Sequence, residues 1–356
     1  RQRQMCIRDR FLLYFSSSLW GQSRDVTEYV DSMIGNSDSR WMQFPGPAMP
    51  FGMVKLSPDN QGNVWRGGYE YKINQIIGFS HIHSWTMGGL LTMPVTGPLK
   101  IKPGEENEPD SGYRSRINHK NEKASLSYYS VLLDDYNIKA ELTSTTRTGF
   151  QRYTFPKSDS SRILFDLENG SEYPYEVRWA SISKVSDYEI EGFSTQSSYD
   201  EPTNLLNDYT VYFVARVDKP MKSFGTWVNG YVDTTSSICW GRHDIGAFMN
   251  FDTEEGEIIQ LKTAISYVSI EQARKNLEVE SGGFGWNFDA VRKYAVNEWR
   301  KILSTIEIEG GTEEDKRKFY TNLYRSYCSR TIFSDVDGQY VDMYLSLIHI
   351  SEPTRP

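Results

Sequence analysis

Cysteine is scarce in this chain of 356 residues, which contains only three. Cys6 lies near the start, and Cys239 and Cys328 have no second Cys or His at a metal-ligand spacing. This pattern excludes a disulfide framework and the common zinc motifs. The phosphate-binding P-loop, the G-x-S-x-G nucleophile elbow and the H-E-x-x-H zinc motif are also absent, so the enzyme classes that depend on them are not indicated.

Positive charge and long hydrophobic runs are scarce as well. The chain has 39 Lys and Arg against 47 Asp and Glu, a net charge of −8. The first ten residues carry four Arg and one Asp, and the last twelve carry one Arg and one Glu, so the net charge is −11 without these ends. No basic run remains, which argues against nucleic acid and anionic membranes as partners. The sequence also predicts no transmembrane segment, since its longest apolar run is too short to span a bilayer.

The two ends of the chain differ from the rest. Residues 1–10 and 345–356 lack helical or strand periodicity and resemble translated sequencing-adapter remnants, so we exclude both from the interpretation of the fold. We therefore expect the natural sequence to continue beyond Tyr344. Residues 11–23 are a short apolar run followed by small polar residues, which predicts the remnant of a signal peptide. The alternative is an ordinary buried strand. We predict a secreted, periplasmic or cell-surface protein.

Between residues 25 and 268 the hydrophobic residues recur with a period of two. The clearest examples are Ile138–Leu142, Tyr209–Val217, Ile245–Phe251 and Ile259–Tyr267. Clusters of Gly, Asn, Asp and Pro separate these runs, which are rich in β-branched and aromatic residues. Many short strands without intervening helices predict an antiparallel β-sandwich.

From residue 269 to about 344 the period becomes helical. Ser269–Val279 predicts a short helix with a Ser cap, and residues 287–305 predict an amphipathic helix. Thr312 and Asp315 have the spacing of a capping box, and the following helix has an apolar stripe that includes Phe319 and Tyr324. Two long helices alone cannot bury their apolar stripes on both sides. The sequence therefore predicts a linker helix and the start of an incomplete helical domain.

Aromatic residues make up 14% of the chain, and several Trp and Tyr lie in polar surroundings. Such rings suit carbohydrate surfaces, and they also suit the inner faces of a large sandwich. His81 and His83 are two apart, so on a strand both imidazoles share one face, and Trp85 continues that face. The hypothesis is a sugar-contacting surface formed by these three residues. The alternative is a pair of structural histidines at a domain interface.

Asp335 and Asp337 follow the second long helix in the sequence FSDVDGQY. The D-x-D-G pattern resembles the start of an EF-hand loop, but the later acidic ligands are missing, so that motif is rejected. One interpretation is that these carboxylates point into the centre of a helical domain and bind sugar hydroxyls. The other is a turn that ends at Gly338.

Six ordered segments resemble glycoside hydrolase family 92, and they are spread over residues 25–344. The segments are YVDSMIG (Tyr29–Gly35), FPGPAMPFGMVKLSPD (Phe44–Asp59), GGYEY (Gly67–Tyr71), IIGFSHIHSWTMGG (Ile76–Gly89), MPVTG (Met93–Gly97) and FSDVDGQY (Phe333–Tyr340). The resemblance implies a mainly β protein with α, in which an antiparallel sandwich precedes an (α/α)6 barrel. Only the first helices of that barrel are then present here.

The resemblance also implies an exo-acting, inverting α-mannosidase that requires Ca²⁺ and acts on mannose-containing glycans. Family chemistry uses a general acid and a general base, and no residue up to 344 matches either, so both are expected downstream with most calcium ligands. The metal-binding residues are left unassigned. His81, His83 and Trp85 resemble the sandwich loop that rims the family's pocket, and Asp335 and Asp337 resemble the barrel segment that approaches the sugar.

This sequence departs from the commonest family pattern in the same loop. Many members have H-T-H-L-S-G-T-G where this chain has residues 81–88 with the sequence HIHSWTMG. Linkage preference and sugar specificity are therefore left open. The rival class is a non-catalytic carbohydrate-binding sandwich, which would explain the aromatic residues and the acidic charge. The long helices after Ser269 argue against it, because a binding module does not need them.

Overall fold

Strands dominate the computed structural model, which describes residues 25–38, 43–61, 68–84, 87–168, 176–200, 205–342 and 347–349. The strands, in chain order, are β1 (Ser57–Asp59), β2 (Gln75–Ile76), β3 (Gly78–Ser84), β4 (Met87–Val95), β5 (Ser115–Arg116), β6 (Lys123–Ser125), β7 (Tyr128–Leu133), β8 (Ile138–Ser144), β9 (Thr148–Phe155), β10 (Ser158–Asp166), β11 (Glu176–Ser186), β12 (Glu189–Asp200), β13 (Leu205–Val217), β14 (Ser223–Val228), β15 (Tyr231–Asp233), β16 (Ile238–Gly241), β17 (Ile245–Thr253), β18 (Glu257–Ser266), β19 (Gln339–Val341) and β20 (Leu347–His349).

Two antiparallel sheets form the sandwich. One has seven strands in the order β1-β3-β4-β10-β17-β14-β15, and the other has nine in the order β16-β11-β12-β13-β18-β9-β8-β7-β6. Their inner faces meet across aromatic pairs: Phe165 stacks on Phe213 with ring centroids 6.1 Å apart, and Phe79 lies 6.3 Å from Tyr153. Burial of these alternating apolar side chains is the main stabilising contribution. The predicted antiparallel sandwich is confirmed.

Three α-helices follow the sandwich: α1 (Ile270–Ser281), α2 (Phe288–Leu303) and α3 (Glu313–Cys328). The Ser269 side chain accepts a hydrogen bond from the Gln272 amide at the start of α1. Thr312 and Asp315 form the predicted capping box at the start of α3. Short 3-10 helices lie at Val26–Tyr29, Pro109–Ser111 and His119–Asn121. None of the helices in these described ranges is long and apolar enough to cross a membrane.

The helices bury their apolar stripes against the sandwich and the N-terminal segment. On α1, Ala273 and Leu277 pack on Val214 and Ala264, which lie on the outer face of the nine-stranded sheet. The apolar residues of α2 and α3 join a cluster with Tyr29 and other residues near the start of the chain. This packing covers one side of each helix. That they begin an incomplete helical domain stays a prediction.

Two aromatic residues extend the helical stripes beyond those predicted. Trp299 of α2 is fully buried, and its indole Nε1–H donates a hydrogen bond of 2.8 Å to the Ala48 carbonyl. Tyr320 of α3 is buried and stacks on Tyr29 at 5.6 Å. Sequence periodicity did not single out either ring, because their partners lie near the other end of the chain. Both hold the helices against the N-terminal segment.

Candidate functional site

His81 lies on β3 with its imidazole directed at the nine-stranded sheet. Its Nδ1–H donates to the Leu90 carbonyl at 2.8 Å, and its Nε2 accepts from the Gln151 amide at 3.1 Å. Because a carbonyl only accepts, the neutral tautomer with a proton on Nδ1 fits both partners. Burial lowers the pKa of His81 to about 4, so the ring is neutral at physiological pH.

His83 lies two residues further along β3 and is buried as well. Its Nδ1–H donates to the Lys55 carbonyl at 2.8 Å, and its Nε2 lies 2.8 Å from a carboxylate oxygen of Asp59. The other oxygen of Asp59 accepts from the Ser80 hydroxyl, so Asp59 joins two side chains of β3. Gly68 lies so close to Asp59 that a Cβ there would be 2.0 Å from the carboxylate, and its φ of +80° also favours glycine.

Both histidines, which the resemblance places in a loop that rims the pocket, are buried within this chain. The nine-stranded sheet covers His81 through Gln151, whereas Lys55, Asp59 and Phe44 surround His83, and every ring nitrogen of the two has a protein partner. They support the strand end that leads to Trp85. Trp85 itself lies outside the described residues. A sugar contact by any of the three stays a prediction.

Lys55 places an ammonium group at the junction between the sandwich and the segment after α3. The residue is 1% exposed, and Nζ donates to the hydroxyls of Ser84 at 2.9 Å and Thr331 at 2.7 Å. Within the described ranges no carboxylate forms an ion pair with it. Burial lowers the pKa of Lys55 to about 8, although the nearby Cys328 acts in the opposite direction. A buried, unpaired ammonium at an interface is a candidate functional group.

Lys55→Met is expected to raise the free energy of unfolding at pH 6–7 by about 1–3 kcal/mol, since it removes a poorly compensated buried charge. The folded-state pKa is below the unfolded value of 10.5, so the wild type gains stability as pH rises from about 8 to 10.5. The advantage of the variant should therefore shrink over that window. Urea unfolding of both proteins at pH 6.5 and 10 tests this, and a variant less stable than the wild type at both pH values contradicts it.

Asp335 is buried against α1 and the end of β18. One carboxylate oxygen accepts from the Asn276 side chain at 2.6 Å and the other from the Ser266 hydroxyl at 2.7 Å. Burial raises the pKa of Asp335 above its usual value, against the lowering effect of these two hydrogen bonds. The Asn276 side-chain oxygen accepts from the Val336 amide at 3.0 Å, which fixes the loop on α1.

Asp337 lies on the same loop and is more exposed. Its carboxylate accepts from Lys275 at 2.8 Å and Gln272 at 3.1 Å, both on α1. Partial burial alone would raise the pKa of Asp337, but the Lys275 ammonium and the other donors hold it at about 2. Both carboxylates thus contact α1. Sugar binding by Asp335 and Asp337 stays a prediction.

A partly buried ion pair fastens this loop to the sandwich. Arg147 donates from its guanidinium to Glu280 of α1 at 2.8 Å and to the Ser334 carbonyl at 2.8 Å. The second oxygen of Glu280 accepts from the Arg147 amide and the Thr145 hydroxyl. A cavity of about 450 Å³ adjoins the pair. The loop after α3 is thereby linked to β18, to α1 and to the sandwich.

The sequence analysis did not predict four groups of the site: Lys55 and Arg147, which contact the segment after α3, and Asp59 and Tyr209, which hold β3 and β4. The Tyr209 hydroxyl contacts both the Gly88 amide, at 3.0 Å, and the Gly88 carbonyl, at 2.7 Å. Two of the four could have been found, because Lys55 and Asp59 are the charged residues of the Phe44–Asp59 segment. The other two contact positions far away in sequence and carry no local signal.

The chain is similar to glycosidases among proteins of known structure and among curated proteins. A family GH92 alpha-mannosidase from Bacteroides thetaiotaomicron, solved alone and in complex with mannoimidazole, is 30% identical with a TM-score of 0.84. The match covers 92% of this chain and 44% of the free enzyme. An inverting mannosidase of the same family from Bacteroides thetaiotaomicron VPI-5482 shares the fold at 24% identity, with a TM-score of 0.72, covering 93% of this chain and 42% of that enzyme. An Arthroderma benhamiae protein, named an uncharacterized secreted glycosidase, is 24% identical over 86% of this chain and 42% of its own length.

A sandwich joined to helices in this arrangement is thus shared with glycosidases. Residues 29–266 match the glycosyl hydrolase family 92 N-terminal domain, and residues 272–352 match the catalytic domain of that family. The chain belongs to glycosyl hydrolase family 92. It spans less than half the length of the relatives named above. The second match extends beyond residue 344 into the segment that resembles an adapter remnant.

Proposed function

We propose that the complete protein is an exo-acting glycosidase that removes terminal α-mannose from glycans with inversion, and that this chain is its N-terminal part. The observation that carries the proposal is the ordered match to both family domains, together with 30% identity to a mannosidase. The mannoimidazole complex of that relative supports mannose-containing glycans as substrates. The secreted glycosidase among the relatives supports export of this protein.

Inversion requires two carboxyl groups about 6.5–9.5 Å apart, one to protonate the leaving oxygen and one to activate water. Each group must reach the substrate or its water. The carboxylates of Asp59, Glu280 and Asp335 are instead engaged by protein donors. We therefore assign both catalytic roles to residues downstream of this chain, and we expect the chain alone to be inactive.

This chain contributes the rigid wall of the proposed pocket. Lys55 holds Ser84 at the end of β3, Tyr209 holds Gly88 near the start of β4, and Trp85 lies between them in sequence. We assign Trp85 to stacking on the sugar and the Asp335 loop to the approach of the bound ring. His81 and His83 fix β3 through their hydrogen bonds to the Leu90 and Lys55 carbonyls. The fixed hydrogen bonds at both strand ends favour a preorganised binding surface.

The proposed enzyme requires calcium, but the described residues do not form a calcium site. Within the described ranges no group of three or more His, Cys, Asp or Glu is arranged to hold a metal ion. Calcium prefers six to eight oxygen ligands, several of them carboxylates. We therefore assign most of the calcium ligands to the downstream sequence.

A paired assay of this chain and the complete gene product tests the proposal. The complete enzyme is expected to hydrolyse an aryl α-mannoside and to lose activity in the presence of a chelator. The chain alone should show no turnover above the background, because general acid–base catalysis alone contributes about 10²–10⁴-fold. Chelator-sensitive turnover by the chain alone would contradict the downstream assignment, and an inactive complete protein would contradict the function.

A further inference from the structure

Two tryptophans form an exposed aromatic surface on the nine-stranded sheet. Trp179 lies on β11, and Trp240 lies on β16, the strand at one edge of that sheet. Their ring centroids are 5.3 Å apart, with an interplanar angle of 31°. Trp179 is 39% exposed and Trp240 is 61% exposed, so the contact between the rings leaves part of each residue accessible to solvent. The proposed hydrolysis uses neither ring.

Strand alternation places both rings on the outer face of the sheet. Their chain neighbours, Ala180 on β11 and Cys239 on β16, are buried in the core of the sandwich, so the tryptophans point the other way. Trp240 lies directly opposite Ser181, two residues along β11 from Trp179, which makes the two tryptophans diagonal neighbours. Aromatic side chains at such positions can reach each other. The strand pairing therefore fixes the spacing of the two rings.

The surface combines apolar rings with uncharged polar groups. Among the residues that the structure describes, neither indole Nε1–H has a hydrogen-bond partner. The Ser181 hydroxyl, opposite Trp240, donates to the Cys239 carbonyl at 3.0 Å and keeps its lone pairs as acceptors. Exposed ring surface of this kind suits the C–H face of a pyranose, and the neighbouring polar groups suit its hydroxyls. A neutral, hydroxyl-rich ligand therefore matches this surface.

A second copy of the chain would need a larger apolar area than this surface offers. A stable protein interface buries about 800 Å² on each partner. One whole aromatic side chain supplies about 150–250 Å², and both tryptophans are only partly exposed. Ile238 of β16, which is 49% exposed, adds one further apolar side chain, but its partner on β11 is the polar Ser183. The area thus favours a small ligand over a protein partner.

We propose that Trp179 and Trp240 form an accessory glycan-binding site that takes neutral pyranose units outside the catalytic pocket. The choice of mannose as the test sugar rests on the proposed function. The site itself rests on the exposure and spacing of the two rings, so it can be tested on this chain without catalysis. In the complete enzyme, such a site holds a polymeric glycan near the pocket and raises its effective concentration there.

Indole ¹H–¹⁵N NMR of the whole chain measures binding directly, because each of the nine Trp gives one Nε1–H resonance. Titration with α-mannotetraose should shift the resonances of Trp179 and Trp240, which the variants Trp179→Phe and Trp240→Phe assign. The resonances of Trp227 and Trp299, whose side chains are fully buried, should not move.

Substitution of Trp240 should weaken the binding of α-mannotetraose without unfolding the chain, because the residue is largely exposed. Trp240→Ala is expected to weaken it about three- to tenfold, whereas Trp240→Phe keeps an aromatic ring and should weaken it less. Tyr231→Ala, at an exposed Tyr on β15 of the other sheet, is the matched control and should change nothing. Equal thermal midpoints of the variants and the wild type separate lost binding from lost structure.

Three results would overturn the site. The first is the absence of a shift at both tryptophans, and the second is equal binding by Trp240→Ala and the wild type. The third is a dimer in sedimentation velocity that Trp240→Ala dissociates, since a second copy would then cover the surface.

The complete enzyme gives an independent readout. Trp240→Ala should raise the KM for polymeric α-mannan about three- to tenfold and leave the hydrolysis of an aryl α-mannoside unchanged. An equal loss on both substrates would contradict an accessory role. A complete wild-type enzyme without activity would contradict the proposed function but not the NMR result, so the two failures are distinguishable.

Discussion

Asp59→Ala is expected to lower the free energy of unfolding by about 3–5 kcal/mol, because it removes one partner of a buried hydrogen-bonded pair. The Asp59 and His83 side chains are both inaccessible to solvent, and they are 2.8 Å apart. The substitution leaves the Nε2 of His83 without its partner and also removes the acceptor of the Ser80 hydroxyl. Urea denaturation at pH 7 measures the loss.

Two variants separate this effect from a general loss of charge. Asp59→Asn keeps a hydrogen-bonding side chain of the same shape and should cost only about 1–2 kcal/mol. Asp252→Ala removes an exposed carboxylate that pairs with Lys222, and it should change stability by less than about 1 kcal/mol. A loss at Asp59→Ala no larger than at Asp252→Ala would show that the pair does not hold β1 and β3 together.

Trp299→Ala should destabilise the chain by about 3–5 kcal/mol through loss of the largest buried ring of α2. The ring lies 4.6 Å from Tyr324 of α3, and its Nε1–H donates to Ala48 in the segment before β1. Trp299 therefore joins both long helices to the N-terminal part of the chain. Thermal and urea unfolding of the variant measure the effect.

A second substitution of Trp299 separates the contribution of its hydrogen bond from that of its ring. Trp299→Phe retains most apolar contact but leaves the Ala48 carbonyl without its donor, so a loss of about 1–3 kcal/mol is expected. Tyr294→Ala, at a half-exposed position of the same helix, serves as the control and should cost less than either. If Trp299→Ala unfolds only the helices while the sandwich remains cooperative, the proposed coupling between them is wrong.

Periodicity predicted most of the fold. The predicted strand Ile245–Phe251 lies within β17, and the helix at residues 287–305 agrees with α2 to within two residues at each end. Capping at Thr312 was correct because a capping box is local, formed by residues three apart. These features depend on short stretches of sequence, where the alternation of apolar residues and the side chains at helix ends decide the structure.

The candidate site was less predictable, because burial and hydrogen-bond partners depend on distant segments. The two-residue spacing of His81 and His83 predicted a common face, but it could not show that β9 covers His81 through Gln151. Asp335 was recognised as unusual, while its partners Ser266 and Asn276 lie 69 and 59 residues away. Lys55 was not predicted as a site residue, since a single lysine among apolar residues does not show which distant groups it contacts.

The proposed inverting α-mannosidase, with its acid and base downstream of this chain, can be tested by ¹H NMR of the first sugar that the complete enzyme releases from an aryl α-mannoside. We expect β-mannose as the initial product, followed by slow mutarotation, and no release of mannose by this chain alone. Initial release of α-mannose, or release of either anomer by the chain alone, would contradict it.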